Sequence, residues 1–326
     1  MLERISQSAL GYYLTLALLA LALPTLLGSN AVATSVLILA IAVGACNLML
    51  GYAGLLSFAQ GAFFGVGSYV AGLALKTWPA LDALAILACV AAGALAALLV
   101  GLLSIRQRGI YFIMITLAMA QLAYFLALSL PQYTGGENGL IDLARPGLGA
   151  QWLESATGYY IFVATLFLAC FAFLRRLIRS PFGKLLDALR ENELRAESIG
   201  YNVQLLKLVA FCLSGALSAL AGGLYAWQVR AAPLSNIDLT MSESLLVMAI
   251  LGGRRSMIGA VFGALAMTLM SEYLSQLWPR WQLIVGIVLI AVVLFAPNGL
   301  GGLWNQIRLA TDDSEAGAGE RRGETT

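Results

Sequence analysis

The chain has 326 residues, of which 60% are hydrophobic and 11% charged, and its mean hydropathy is +0.85. Soluble domains carry about 25% charged residues, so the composition excludes a soluble globule and predicts an all-α, polytopic integral membrane protein. A net charge of +2 with no histidine speaks against a nucleic-acid partner and removes the commonest general base and metal ligand.

The first apolar run covers residues 9–27 and follows Arg4. Ala31-Val32-Ala33 resembles a signal-peptidase site, but the run exceeds the roughly 7–15 residues of a signal core, so it is read as a retained span. A second run covers 31–50. The third, 51–75, carries Gly51, Gly54, Gly61, Gly65, Gly67 and Gly72. Two roles fit that density: close helix packing through Gly61 and Gly65, or a broken helix lining a cavity. Gln60, Gly61, Phe63 and Gly65 are the candidates for a translocation path.

After a polar break around Pro79, spans are predicted at 83–104 and 110–130, separated by Arg106 and Arg108. A long loop, 131–158, contains TGGENGL from Thr134 to Leu140. A span at 159–178 leads into the charged stretch 180–207, and 208–229 is apolar again. Region 233–251 fits a short outer helix leading into a short span. Gly252 to Ser256 form a turn, and 257–277 contains a second GxxxG, Gly259 to Gly263. The run 282–296 ends at Pro297. The tail 309–326 has no aromatic residue, and disorder is expected there. These runs give about ten spans in a permease region of 1–308.

The charged stretch reads as a helix. Ser180 is its expected N-cap and Pro181 its first residue. Leu185, Leu189, Ala196 and Ile199 form a thin apolar stripe. Glu191–Arg195 and Asp187–Arg190 are spaced for ion pairs, and Gly200 suits a left-handed C-terminal cap. Taken alone, such a helix is equally well a solvated linker lying on the membrane.

Within this region, GKLLDALRENELRAESIGYNVQLLKLVAFCLSGALSALAGGLYA (183–226) resembles the ATPase-coupling loop, and the span after it, of ABC-importer permeases for branched-chain amino acids. The likeness rests on Gly183, Ala188, Arg190, Glu191, Asn192, Glu193, Ala196, Gly200, Lys207 and Phe211. GYAGLLSFAQGAFFGVGSY (51–69) is similar to a second family signature, with Gln60 in place of a histidine and Ala59 in place of a glycine. TGGENGL, LGGRRSMIGAVFGA and LFAPNGLGGLW resemble further family segments. The resemblance implies a bacterial inner-membrane permease forming half of a translocation pathway. Its implied partners are a second, homologous permease, two ATP-binding subunits and an extracytoplasmic solute-binding protein. It assigns ATPase coupling to Gly183, Leu185, Leu189, Arg190, Glu191, Glu193, Ala196 and Gly200. Urea, short amides and aromatic acids are alternative solutes among such permeases.

Charge sets the expected orientation. With the N-terminus inside, the outer loops hold only Lys76, Arg145, Arg230 and Arg280, and the other fifteen of the nineteen Lys and Arg residues face inward. That positive-inside bias puts both termini and 180–207 in the cytoplasm. The chain lacks a GxxxxGK[ST] loop, so it is not expected to be an enzyme or to hydrolyse ATP. No cofactor or metal is expected. Cys46, Cys89, Cys170 and Cys212 lie far apart in apolar runs and read as reduced packing residues. An independent secondary transporter is the rival class. It calls for ionisable groups deep in the membrane, and the deepest acid, Glu272, reads as an interface carboxylate.

Overall fold

The computed structural model describes residues 2–77, 82–143, 151–295 and Gly299. The tail 309–326, the boundary at 308, Pro79, Pro146, Pro297 and most of LFAPNGLGGLW lie outside the described residues. The helices are α1 (Leu2–Leu27), α2 (Asn30–Asn47), α3 (Gln60–Thr77), α4 (Asp82–Ser104), α5 (Ile110–Ser129), α6 (Pro131–Thr134), α7 (Ala156–Arg179) and α8 (Pro181–Glu191). They continue as α9 (Glu193–Ser198), α10 (Val203–Val229), α11 (Leu239–Gly252), α12 (Met257–Leu269), α13 (Ser275–Leu277) and α14 (Trp281–Phe295). Extended pairing among the described residues is one isolated bridge, Leu140 with Ala232. The protein is all-α.

Six segments among the described residues are long and apolar enough to cross a membrane, and four more apolar helices, Gly11–Leu27, Gln60–Leu75, Leu239–Gly252 and Trp281–Phe295, are shorter. Burial sorts the long ones. The span Asn30–Ala53 is 89% buried, whereas Ile110–Ser129 is 22% buried. A helix that is apolar on every side and enclosed by others forms the core of a bundle, so α2 is the central post and α5 lies at the periphery. Around α2, helix α10 packs against α3 and α4 through small residues. A Cβ added at Gly67 would sit 1.9 Å from the Ala219 carbonyl oxygen, and one at Gly222 would sit 1.8 Å from that of Phe64. Backbone-to-backbone approach of this kind maximises dispersion between helices where no hydrophobic force separates lipid from protein.

The third apolar run is interrupted, as one reading of its glycines allowed, and Gly61 and Gly65 meet α11 and Ile237 closely, as the other did. The run is not one helix from residue 51. The α2 span continues as a π-helical segment, Leu48–Ala53, and stops at Gly54, which is left-handed at φ +70°. Residues 54–59 are non-helical and α3 starts at Gln60. The region 231–238 is a second interruption: a 3₁₀ turn, Leu234–Asn236, precedes α11, as the sequence suggested. Pro24 lies inside α1, in its last turn. Helix α10 begins at Val203, so Lys207, expected in the polar stretch, belongs to the span. The TGGENGL loop is ordered: the Thr134 hydroxyl donates to the Ala127 carbonyl at 2.6 Å, and Leu140 exchanges backbone hydrogen bonds with Ala232.

Candidate functional site

The charged stretch folds as two helices joined at Asn192, called the hairpin below, and not as one helix. Asn192 is extended (φ −157°, ψ 101°), ends α8 and caps α9, its side chain accepting from the Arg195 N–H at 3.0 Å. An asparagine side chain competes well for free N–H groups at helix starts, and that competition breaks the expected helix. Glu191 and Arg195 therefore straddle the break, and Asp187 pairs not with Arg190 but with Arg255. Helix α9 closes as expected at Gly200, φ +96°. The Tyr201 N–H reaches the Ala196 carbonyl and the Gly200 N–H reaches that of Glu197, the paired bonds of a Schellman cap.

Three latches hold the hairpin to the spans. Arg190 donates to the Gly51 carbonyl oxygen at 2.6 Å, at the π-helical end of α2. Arg255, in the turn between α11 and α12, contacts Asp187 at 2.9 Å, and its own carbonyl accepts from the Tyr52 hydroxyl at 2.8 Å. Glu193 lies 2.7 Å from the buried Lys207 of α10 and 3.1 Å from Arg108, which also reaches Glu197 at 2.7 Å. The hydrogen bond that Arg108 donates to Glu197, with the charge of Glu193, raises the pKa of Arg108. Asn47 completes the C-terminal end of α2, its amide donating to the Ser256 carbonyl at 3.2 Å.

The coupling candidates thus divide. Gly183 is buried because a Cβ there would lie 2.1 Å from the Ile178 carbonyl, at the corner between α7 and α8. Leu189 and Ala196 are buried within the chain and Leu185 is half-buried. Glu191 and Gly200 are exposed. Of the expected stripe only Ile199 is open, at 70%, and Leu194, outside that stripe, is 63% exposed. A cleft of about 110 Å³ lies between α8, α9 and the start of α10, with Ala188, Tyr201 and Leu206 in its walls.

The path candidates lie deeper. Gln60 is fully buried, its amide nitrogen donating to the Ser214 hydroxyl at 2.9 Å and its oxygen accepting from that of Ser218 at 2.7 Å. Phe63 stacks edge-on against Phe211, ring centroids 5.4 Å apart. Gly61 donates its N–H to the Ser242 hydroxyl at 2.8 Å, and that hydroxyl donates to the Phe58 carbonyl. A Cβ at Gly65 would lie 2.5 Å from the Ile237 Cα. The start of α3, with the break before it, therefore packs against the segment that leads into α11. Thr116 and Ser57 supply acceptors for the N–H groups of Phe58 and Ala59. Non-helical backbone at membrane depth needs such internal partners, because lipid supplies none. The sequence reading missed Arg108, Ser214, Ser218 and Ser242; for the first pair of serines the i, i+4 spacing was a visible signal.

Glu272 is exposed in the π-helical segment Met270–Leu274, and the four cysteines are free. No group of three or more acidic or sulfur ligands suited to a metal ion occurs among the described residues.

A family profile described as branched-chain amino acid transport system / permease component matches residues 28–294. The chain is 27% identical over 321 residues to the high-affinity branched-chain amino acid transport system permease protein LivM of Escherichia coli K12, covering 89% of this chain and 74% of that protein. It is 30% identical over 273 residues to a probable branched-chain amino acid transport permease protein LivH of Methanocaldococcus jannaschii, covering 77% and 85%. A shorter match, 29% over 166 residues and 48% of each chain, is to the autoinducer 2 import system permease protein LsrC of Photorhabdus laumondii. No solved structure matches.

Proposed function

We propose that this chain, which belongs to the family of branched-chain amino acid transport permease components, works as half of an importer's pathway and is driven through its α8–α9 hairpin by ATP-hydrolysing partner subunits. A second, homologous permease and an extracytoplasmic solute-binding protein complete the assembly. The hairpin faces the cytoplasm of a bacterial inner membrane, with both termini on the same side.

One observation carries the reading. The hairpin is the polar element that projects between two spans, and Arg190, Asp187 and Glu193 tie it to three separate places in the bundle. A push on its exposed residues, Leu194 and Ile199, then reaches the end of α2, the α11–α12 turn and the α4–α5 turn together. The first of these borders the interruption at 54–59, where non-helical backbone can rearrange at lower cost than an intact helix. Gln60, Gly61, Phe63 and Gly65 are assigned to holding the interruption against α10 and α11, behind the faces that meet the second permease.

Branched-chain amino acids are the solute read for this chain because two relatives so named match 89% and 77% of it, against 48% for the autoinducer 2 permease. The test is reconstitution in proteoliposomes with a second permease, ATP-hydrolysing subunits and a solute-binding protein from the same source as this chain. ATP-dependent leucine uptake is expected from the full set and neither uptake nor ATP hydrolysis from the chain alone. ATP hydrolysis by the homogeneous chain, or leucine uptake without the ATPases, overturns the reading.

A further inference from the structure

The inner end of α7 carries Arg175, Arg176 and Arg179 within five residues, and with Tyr13 and Phe173 they line an open cavity of about 590 Å³. We propose that this cavity is a binding site for the phosphate headgroup of an anionic glycerophospholipid, in the leaflet on the side of the hairpin.

The arginines differ in environment. Arg175 is buried, its guanidinium 4.1 Å from the Tyr12 ring centroid and 5.0 Å from that of Tyr13. This cation–π contact ties α1 to α7 and fixes one wall of the cavity. Arg176 and Arg179 are exposed, and the ion pairs found among the described residues involve neither of them. Two charged guanidiniums one turn apart, both aimed outward, present planar donors suited to a phosphate. At the cavity's edge Ser180 precedes α8, whose first N–H groups have no side-chain cap because the Ser180 hydroxyl donates back to Leu177. Uncapped helix starts favour anions.

The apolar wall selects the source of the phosphate. Phe173 is 46% exposed and Ala172 lies beside it, one turn deeper into the apolar run than the arginines. A free phosphate satisfies the guanidiniums and leaves that wall bare. A phospholipid places phosphate at the arginines and acyl chain along Phe173 and α1. Basic pockets between helices at the membrane surface hold anionic headgroups in this way. The competing account is that the arginines only complement the helix C-terminus and fix orientation, which requires no selectivity among lipids.

The test uses the full chain, purified in non-ionic detergent, delipidated and titrated with dioleoylphosphatidylglycerol by native mass spectrometry. Dioleoylphosphatidylcholine is the zwitterionic comparison and inorganic phosphate the soluble one. Binding of phosphatidylglycerol at least about tenfold tighter than phosphatidylcholine is expected, with no competition from phosphate. Arg176→Gln with Arg179→Gln is expected to weaken phosphatidylglycerol about thirtyfold, from the per-charge contribution near a membrane surface. Arg176→Lys with Arg179→Lys, which keeps the charges and loses the planar donors, is expected to bind more weakly than the parent and more tightly than the glutamine variant. Both sites are exposed, and an unchanged melting temperature without lipid checks that the fold survives. Equal binding of the two lipids, or a glutamine variant within threefold of the parent, overturns the proposal. Competition by inorganic phosphate also overturns it and assigns a soluble anion instead.

Discussion

The guanidinium of Arg190 donates to the carbonyl oxygen of Gly51 at 2.6 Å, joining the hairpin to the last turn of the central helix across 139 positions of sequence. The carbonyl is available because π-helical geometry at Leu48–Ala53 leaves the end of α2 outside the regular ladder. The stem of Arg190 also lies where a Cβ at Gly54 would come, 2.8 Å from its Cγ.

That contact gives the first prediction. Arg190→Ala removes one charge-assisted bond, about 1.5–3 kcal/mol, at an exposed position, so the subunit is expected to fold and to hold its ATPase partner. Uptake is expected to fall several-fold while ATP hydrolysis by the reconstituted complex persists. Measuring both rates checks this, and equal loss of the two would place Arg190 in docking and not in transmission.

A second prediction separates the hairpin's two faces. Ile199→Asp alters a residue that is 70% exposed, and normal membrane abundance with lost ATPase co-purification is expected. Losing about 3 kcal/mol of docking is over a hundredfold in affinity. Leu189→Asp puts a charge where the side chain is 5% exposed, so several kcal/mol of subunit stability are expected to go first, read as reduced abundance. Co-purification that survives Ile199→Asp would show that the ATPase docks elsewhere.

Third, Gln60→Leu deletes both amide bonds to Ser214 and Ser218. A loss of about 1–3 kcal/mol is expected, measured as a lower melting temperature, with uptake per folded subunit retained. Uptake abolished at unchanged melting would instead assign Gln60 to the path.

Fourth, Glu193→Gln leaves Lys207, 4% exposed, without its carboxylate partner. Breaking a fully buried pair costs about 3–5 kcal/mol. Glu193 is 25% exposed on its side chain, so about 1–3 kcal/mol is expected here, solvent screening taking the remainder. Adding Lys207→Met is expected to restore much of the loss, and thermal unfolding of the two variants measures the difference.

Fifth, reporter fusions after Lys76 and after Arg254 are expected to report opposite sides of the membrane, the second cytoplasmic. Signals from the same side would break the fifteen-to-four charge argument.

Composition and hydropathy were sufficient for an all-α membrane protein, and the apolar runs located most spans within a few residues, because transfer into lipid depends on local composition alone. Helix punctuation was equally local: Pro181 opens α8 and Gly200 closes α9. The interruptions were only partly local: glycine density left a break in 51–75 open, and Pro233 to Asp238 marked the second. Gly51 to Ala59 is apolar enough to extend a helix, and the hydroxyls of Thr116 and Ser242, brought from distant positions, join the neighbouring Ser57 in making a non-helical course tolerable there. The stripe of the charged stretch pointed to Leu189 and Ile199 together, because a periodic pattern shows which residues share a face and not what covers it. Tertiary packing decided that Leu189 closes the hairpin onto the bundle while Ile199 stays open. It also gave Arg190 and Glu193 partners far away in sequence, since ion pairs and carbonyl contacts depend on three-dimensional proximity, which no window of sequence contains.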